Sequence, residues 1–323
     1  MNNGNNSIDI AAKAIEQVAS EVLKLKNLLD HNFEAVVDLC FKSTGRLVIS
    51  GIGKSALIGQ KLVATFNSTG TPALFLHAAD AIHGDLGMVQ PNDIVMLISK
   101  SGNSPEIKVL LPYLKEMGNT TVGMTGNMQG FLAKHCDYTL NTGVERESCP
   151  NNLAPTTSTA AQLVMGDALA VTLMQLKGFN ESDFAKYHPG GALGKKLYLK
   201  VQDLLGKDNP LPTVPPSAGW KEVIVKISEG RLGAVVVQDH HEMLGIITDG
   251  DIRRMLEKFD SLDRILARDI MTRNPKFVSP EMLAYEAFQL MESKNITQLP
   301  VLDEQQKLVG LIHIHDIIKE GIF

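Results

Sequence analysis

The sequence predicts an α/β protein: a doubly wound, mostly parallel sheet with helices on both faces, followed by a smaller α+β module. Three observations lead there. Between residues 46 and 177, short apolar runs alternate with helical patterns, the signature of a parallel sheet covered on both sides. A stretch at 206–219 holds Pro210, Pro212, Pro215 and Pro216 and breaks that alternation. Beyond it, GIITDGDI (245–252) and GLIHIHDI (310–317) form an internal repeat, in which Asp251 and Asp316 are equivalent.

The elements follow in order. Residues 8–43 read as helix, with Ile15, Val18, Val22, Leu25 and Leu29 on one face and a second stripe through Phe33, Val36, Val37 and Cys40. Strands are expected at 46–50, 73–76, 94–98, 120–124 and 137–140. A helix carrying Ile58, Leu62, Val63 and Phe66 inward follows the first strand, and a helix at 105–117 follows the third. Pro112 lies inside the latter, where proline costs about 3 kcal/mol, so a kink or break is expected. Residues 157–177 read as a helix with Leu163, Val164, Ala168, Val171 and Met174 buried. The domains drawn are N-terminal helices (1–45), a first domain (46–200), a linker (201–219) and a repeat module (220–323, its copies at about 203–260 and 268–323).

Composition excludes several functions. The net charge is −5 and aromatics are 5 %, with one Trp, which argues against a nucleic-acid surface. Three cysteines, Cys40, Cys136 and Cys149, have no zinc spacing and fit a reduced, cytoplasmic setting. No run approaches the roughly 18 consecutive apolar residues of a membrane helix, and the polar start MNNGNNSIDI does not read as a signal peptide.

Parallel α/β sheets bind ligands beyond the carboxyl ends of their strands, and the polar motifs lie there. Gly51-Ile52-Gly53-Lys54-Ser55 joins a strand to a helix, where glycines admit an anion to a helix N-terminus. A Walker A loop is excluded by Val48, and a dinucleotide fingerprint lacks its acid at the end of the next strand; a plain tight turn stays open. Ser99-Lys100-Ser101-Gly102-Asn103-Ser104-Pro105-Glu106 follows the most apolar strand. Ser104 suits the N-cap and Pro105 the first helical position, so hydroxyls and backbone N–H groups make a phosphate cradle. Glu147, the hydroxyl run Thr156–Thr159, His188 in HPGGALG, and His77 and His83 in FLHAADAIHGDLG complete the candidates. Each histidine alone reads more readily as structural.

Together GIGKS, HGDLGM, SKSGNSPE, CPNNLAPTTSTAAQLVMGDALA and HPGGALG resemble the arabinose 5-phosphate isomerases, whose sugar isomerase (SIS) domain is followed by a pair of CBS motifs; residues 203–323 resemble that pair. The resemblance implies an SIS-type doubly wound sheet. It implies an aldose–ketose isomerase for D-ribulose 5-phosphate and D-arabinose 5-phosphate, acting through an enediol and feeding octulosonate and lipopolysaccharide synthesis. Lys54, Glu106, Glu147 and His188 match its catalytic positions. Gly53, Ser55, Gly70, Thr71, His77, His83, Ser99, Ser101, Asn103 and Ser104 match substrate-contacting ones. Glu147, its pKa raised by a dry site, is the first choice for the carbon base, with His188 the alternative; Lys54 faces the oxyanion, Glu106 orients Lys54, and His188 otherwise moves the oxygen proton or opens the sugar ring. No cofactor is required; an inhibitory zinc at His77 and a nucleotide effector at Thr248, Asp251 and Asp316 are implied, together with a homotetramer. The second repeat has His313 where the nucleotide pattern has Thr, so the pair reads equally as a structural module. An SIS isomerase for another sugar phosphate, a non-catalytic sugar-phosphate sensor and a nucleotide-binding regulator are the competing readings.

Overall fold

The computed structural model describes residues 6–206, 211–240 and 242–322. The chain divides into two compact units, with the boundary between Tyr187 and His188.

In the first unit, β1 (Leu47–Gly51), β2 (Ala73–His77), β3 (Ile94–Ile98), β4 (Thr120–Thr125) and β5 (Tyr138–Asn141) form one parallel sheet in the order β2-β1-β3-β4-β5. The register places Gly51 beside His77 on one side and Ile98 on the other, so three strands end level. The chain winds outward from β1 to β2 and then returns to β3. The crevice between the ends of β1 and β3 is therefore the topological switch point, where such sheets bind ligands. Both glycine- and serine-rich loops leave from it.

Strands β1 and β3 are buried along their whole length, as sheets covered on both faces require. Alternate residues feed two cores. Ile49, Met96 and Ile98 pack with α1 (Ser7–Lys24), α2 (His31–Lys42), α3 (Lys54–Ser68) and a long helix at Thr157–Leu176. Val48, Val95 and Leu97 pack on the other face with α4 (Ala78–Ala81), α5 (Pro105–Glu116) and α6 (Phe131–His135). The long helix is α7; α8 (Glu181–Tyr187) closes the unit.

Some elements differ from expectation. The helix drawn over 8–43 is two, because Asp30 accepts hydrogen bonds from the Asn32 and Phe33 N–H groups and starts α2 afresh. Ile15 and Leu29 are exposed; α1 buries Glu21 near its end, and Leu25, in the 3₁₀ turn that follows, is buried as well. Helix α5 runs through Pro112 without a break; Pro112 lies on the exposed side, where water can take the freed carbonyl. In α7 the buried face runs through Ala161, Met165, Gly166, Leu169 and Leu173, while Val164 and Val171 are exposed. Apolar residues surround α7, so periodicity could not choose its face. Small residues chose it: a Cβ at Gly166 would lie 2.4 Å from the Leu62 methyls of α3. Among the described residues α7 is the one helix long and apolar enough to cross a membrane; it packs here against α1, α2 and α3.

The second unit comprises α9 (Ala192–Tyr198), α10 (Val201–Leu204), α11 (Trp220–Gly230), α12 (Asp249–Lys258), α13 (Ala267–Ile270), α14 (Ala284–Lys294) and α15 (Ile314–Lys319). Its strands are β6 (Thr213–Val214), β7 (Ala234–Asp239), β8 (Glu242–Thr248), β9 (Thr272–Arg273), β10 (Gln298–Leu302) and β11 (Leu308–His313). They pair as β6-β7-β8-β9 and β10-β11. The repeat is visible in detail. Helices α11 and α14 both end on a left-handed residue, Arg231 and Asn295, and both antiparallel hairpins carry a register shift. Ala234, Val236 and Ile246 of one copy pack with Leu302, Leu308 and Leu311 of the other.

Within the stretch drawn as a linker over 201–219, residues 201–204 and 213–214 belong to α10 and β6. Val201 is fully buried with Val278, Ala284 and Ile312, and β6 pairs with β7. Prolines are tolerated beside β6 because it is an edge strand; Pro210 lies outside the described residues. Residues 188–200, drawn with the first domain, fall in the second unit.

Candidate active site

Three helix N-termini converge at the switch crevice. Lys54 and Ser55 open α3, Ser104 caps α5, and Ser158 and Thr159 open α7; all five line one cavity of about 230 Å³, with Ser99, Lys100, Ser101, Ile52, Ile98, Pro155 and Gln162. Helix N-termini carry N–H groups without intrahelical partners and the positive end of a helix dipole; that of α7 is met by the Glu147 carboxylate, and those of α3 and α5 leave the cavity favourable to an anion. Two ammonium side chains, Lys54 and Lys100, add formal charge.

The serine loop is folded tightly. Ser99 and Ser104 hydroxyls meet at 2.9 Å, and Thr125 donates to the Lys100 carbonyl at 3.3 Å. Gly102 has φ +64°, and a Cβ there would sit 2.9 Å from the Thr125 hydroxyl, so the turn needs glycine. Asn103 braces the loop from outside: its side chain donates to the Ser101 carbonyl at 3.0 Å and accepts from the Phe131 N–H at 3.2 Å. Ser55 donates to Gln162 at 3.3 Å.

Glu147 is wholly buried behind the cavity wall. Oε1 accepts from Lys100 Nζ at 2.6 Å and the Ser158 hydroxyl at 2.5 Å. Oε2 accepts from the Thr156 N–H at 2.9 Å, the Ser158 N–H at 3.1 Å and the Thr156 hydroxyl at 3.2 Å. Burial alone would raise its pKa, as expected from the sequence. The opposite holds: Lys100, Ser158 and Thr156 together outweigh burial and bring it down to about 2.

Other candidates are placed less centrally. Glu106 lies in the first turn of α5, and its side chain makes no hydrogen bond or ion pair, to Lys54 or otherwise, among the described residues. Gly53 (φ +59°) precedes α3. Gly70 and Thr71 stand at the amino end of β2, the opposite edge of the sheet from the cavity, where Lys177 donates to the Gly70 carbonyl and the Thr71 hydroxyl. Within one chain they are not brought to the serine loop. His77 ends β2 with Nδ1 3.3 Å from Asp80 Oδ2, and His83 is exposed nearby. Among the described residues no group of three His, Cys, Asp or Glu could hold a metal, so His77 with Asp80 does not by itself fit the four donors zinc takes. His188 begins the second unit, its carbonyl accepting from the Gly191 N–H at 3.0 Å.

In the second unit Asp251 is almost fully buried. It accepts from the Thr248 N–H and hydroxyl, from Arg254 at 2.6 Å and from Thr272 at 3.2 Å. In the second copy His313 takes the cap position: its Nδ1 accepts from the His315 N–H, and Asp316 accepts from the His313 N–H. A cleft of about 660 Å³ adjoins Thr248, Asp251, Arg253, Arg254, Lys276, Lys294 and His313.

Sequence reasoning left out Lys100 and Gln162 and treated the Thr156–Thr159 run only as a helix start. An ammonium set between two loop serines was the available signal.

A serine-lined anion cavity at the switch point of a parallel sheet, joined to a two-copy repeat, defines an SIS sugar-phosphate protein with a CBS module. Residues 41–172 match the SIS domain, and 201–258 and 267–322 match the CBS domain, which also begins where the fold places α10. The arabinose 5-phosphate isomerase KdsD of Francisella tularensis is 43% identical over 98% of this chain and 96% of its own, and that of Escherichia coli K12 is 41% identical over 97% and 95%. A solved structure from E. coli CFT073, in complex with arabinose 5-phosphate, is 40% identical, with a TM-score of 0.56 over 58% of this chain and 100% of that one. The chain belongs to the arabinose 5-phosphate isomerase family.

Proposed function

We propose that this protein interconverts D-ribulose 5-phosphate and D-arabinose 5-phosphate. The observation that carries the reading is the convergence of three helix N-termini, three loop serines and two lysines on one cavity at the sheet's switch point. The named activity of its relatives, and the sugar phosphate held in the E. coli complex, give that anion site its substrate class.

Isomerisation moves a proton between C1 and C2 through an enediol. The serine loop holds the phosphate. Lys54 faces the oxygen that gains charge in the enediolate. Glu147 takes the carbon proton, and His188 moves the oxygen proton or opens the furanose ring. The cost of forming the enediolate is met by donors already fixed in place. Such proton transfer runs on side chains, so activity is expected to survive exhaustive chelation. The reading sets the enzyme in the cytoplasm, ahead of octulosonate and lipopolysaccharide synthesis, which D-arabinose 5-phosphate would feed. A homotetramer is supported by exposed apolar side chains, Val164 and Val171 on α7 and Leu57 on α3. The CBS cleft, with four basic side chains, suits a nucleotide effector contacting Thr248 or Asp251; Asp316 does not line it.

The direct test is turnover of D-ribulose 5-phosphate by the full chain. Lys54→Ala is expected to lower kcat about 10²–10³-fold, the usual scale for removing one oxyanion donor. Binding of the sugar phosphate by the unmodified protein without any turnover would leave a sensor and end the enzyme reading.

A further inference from the structure

Glu147 presents a difficulty for its role as base. Five donors surround its two oxygens, and all the lone pairs that could take a carbon proton are engaged. One donor must leave before the carboxylate can act. Two of the five are backbone N–H groups held by the start of α7, and two are hydroxyls of Thr156 and Ser158, which can turn away but carry no charge. The fifth is Lys100. Its side chain is long and 47% exposed, it belongs to the serine loop, and it lines the cavity into which the phosphate would fit.

We propose that Lys100 is a transferable cation: it passes from Glu147 to the substrate's phosphate when that group enters the serine loop, and so converts Glu147 into a working base. The inference rests on the isomerase reading and adds to it a positioning residue that couples phosphate binding to base activation. No bond is made or broken in the transfer, and the ammonium keeps its three protons.

The charges involved point the same way. A phosphate dianion offers Lys100 two negative charges where Glu147 offers one. The groups facing Glu147 are otherwise Cys149 on its own loop, the neutral Thr156 and Ser158 of α7, and Gln17 of α1, which donates to the Glu147 backbone carbonyl at 3.2 Å. Once Lys100 leaves, no cation remains on the carboxylate, and burial then acts to raise its proton affinity. A substrate without phosphate leaves Lys100 in place and the base disabled, which makes the same contact a selector for phosphorylated sugars.

The test uses the full chain with Lys100→Met and, should that variant fail to fold, Lys100→Gln, with Lys100→Arg as the conservative control. Calorimetric titration with inorganic phosphate at pH 7 needs no turnover, so it reads Lys100 even if the isomerase reading fails. Affinity is expected to fall about tenfold in Lys100→Met and to return within about threefold in Lys100→Arg, the scale of one charge-assisted hydrogen bond. The second readout is the acid limb of the kcat–pH profile. Transfer predicts the limb stays where the unmodified enzyme has it, because Lys100 has already left Glu147 in the substrate complex. A fixed clasp predicts that the limb moves to higher pH when Lys100 is removed. Unchanged phosphate affinity, or an acid limb displaced upward by a full pH unit, overturns the proposal.

Discussion

Two buried carboxylates, one in each unit, solve the same problem in different ways. Glu147 and Asp251 both sit at a helix N-terminus, both accept from hydroxyls and backbone N–H groups, and both hold one long cation. In each, burial would raise the pKa and the donors prevail, leaving both below the ordinary carboxylate range. The difference lies in where the donors come from. Asp251 draws Thr248 and Arg254 from its own turn, three residues to either side, and Thr272 from the neighbouring strand. Glu147 draws on two distant segments, the serine loop through Lys100 and the start of α7 through Thr156 and Ser158. A locally saturated carboxylate fastens one helix. A remotely saturated one ties together the walls of a cavity, and its charge is available to whatever enters there.

The sharpest way to break this comparison is Glu147→Gln. Isomerase kcat is expected to drop about 10²–10⁴-fold if the carboxylate transfers the proton; an unchanged rate of deuterium exchange at the transferred carbon would remove Glu147 from the chemistry and leave it a tether only. The same variant reports on stability. Because its pKa falls from 4.5 unfolded to about 2 folded, Glu147 contributes stability that is fully present above about pH 4.5 and is lost as pH falls toward 2. Unfolding free energies from urea titrations between pH 5 and 3 are therefore expected to fall more steeply in the unmodified chain than in Glu147→Gln, by about 2 kcal/mol.

Asp251→Ala is expected to act on the other side of the comparison, costing the second unit about 1–3 kcal/mol through the loss of its cap and the stranded Thr248 and Arg254 donors. Thermal unfolding of that unit should fall while kcat of the isomerase holds. A parallel loss of kcat at temperatures where the unit stays folded would show that Asp251 is coupled to the reaction and is not local.

The smallest effect is expected from His313→Thr, which gives the second copy the residue of the first. His313 titrates below the ordinary histidine value because burial and the neighbouring His315 disfavour its charged form. Neutral Nδ1 is also the acceptor that caps α15. Its contribution is present above about pH 6.5 and is lost as pH falls further. Thermal scans at pH 7.5 and 5.5 should show a difference in the unmodified chain that narrows in His313→Thr; an equal difference in both would place the titrating group elsewhere.

Much of this architecture was legible in the chain itself. Alternation of apolar runs with helical stripes located all five strands of the first sheet to within a residue or two, because buried parallel strands are continuous apolar runs bounded by turns. Ser104-Pro105 marked the start of α5 through capping chemistry that acts within one turn. The repeat located both Asp251 and Asp316, and their roles at the third position of α12 and α15 are likewise local. The linker was misread because proline composition speaks of turns and edges, and an edge strand such as β6 uses both.

What the sequence determined, then, was whatever depends on neighbours a few residues apart: strand and helix type, caps, turn glycines and the repeat. The tertiary structure alone decided which face of α7 is buried, since its apolar residues are spread around the helix and give no periodic signal, and the approach of Leu62 to Gly166 fixes the face. It alone also set the protonation of Glu147. Desolvation and hydrogen bonding push a carboxylate's pKa in opposite directions, and which prevails depends on donors 47 residues before it and 11 residues after it in the chain. Only folding brings those donors within 3 Å.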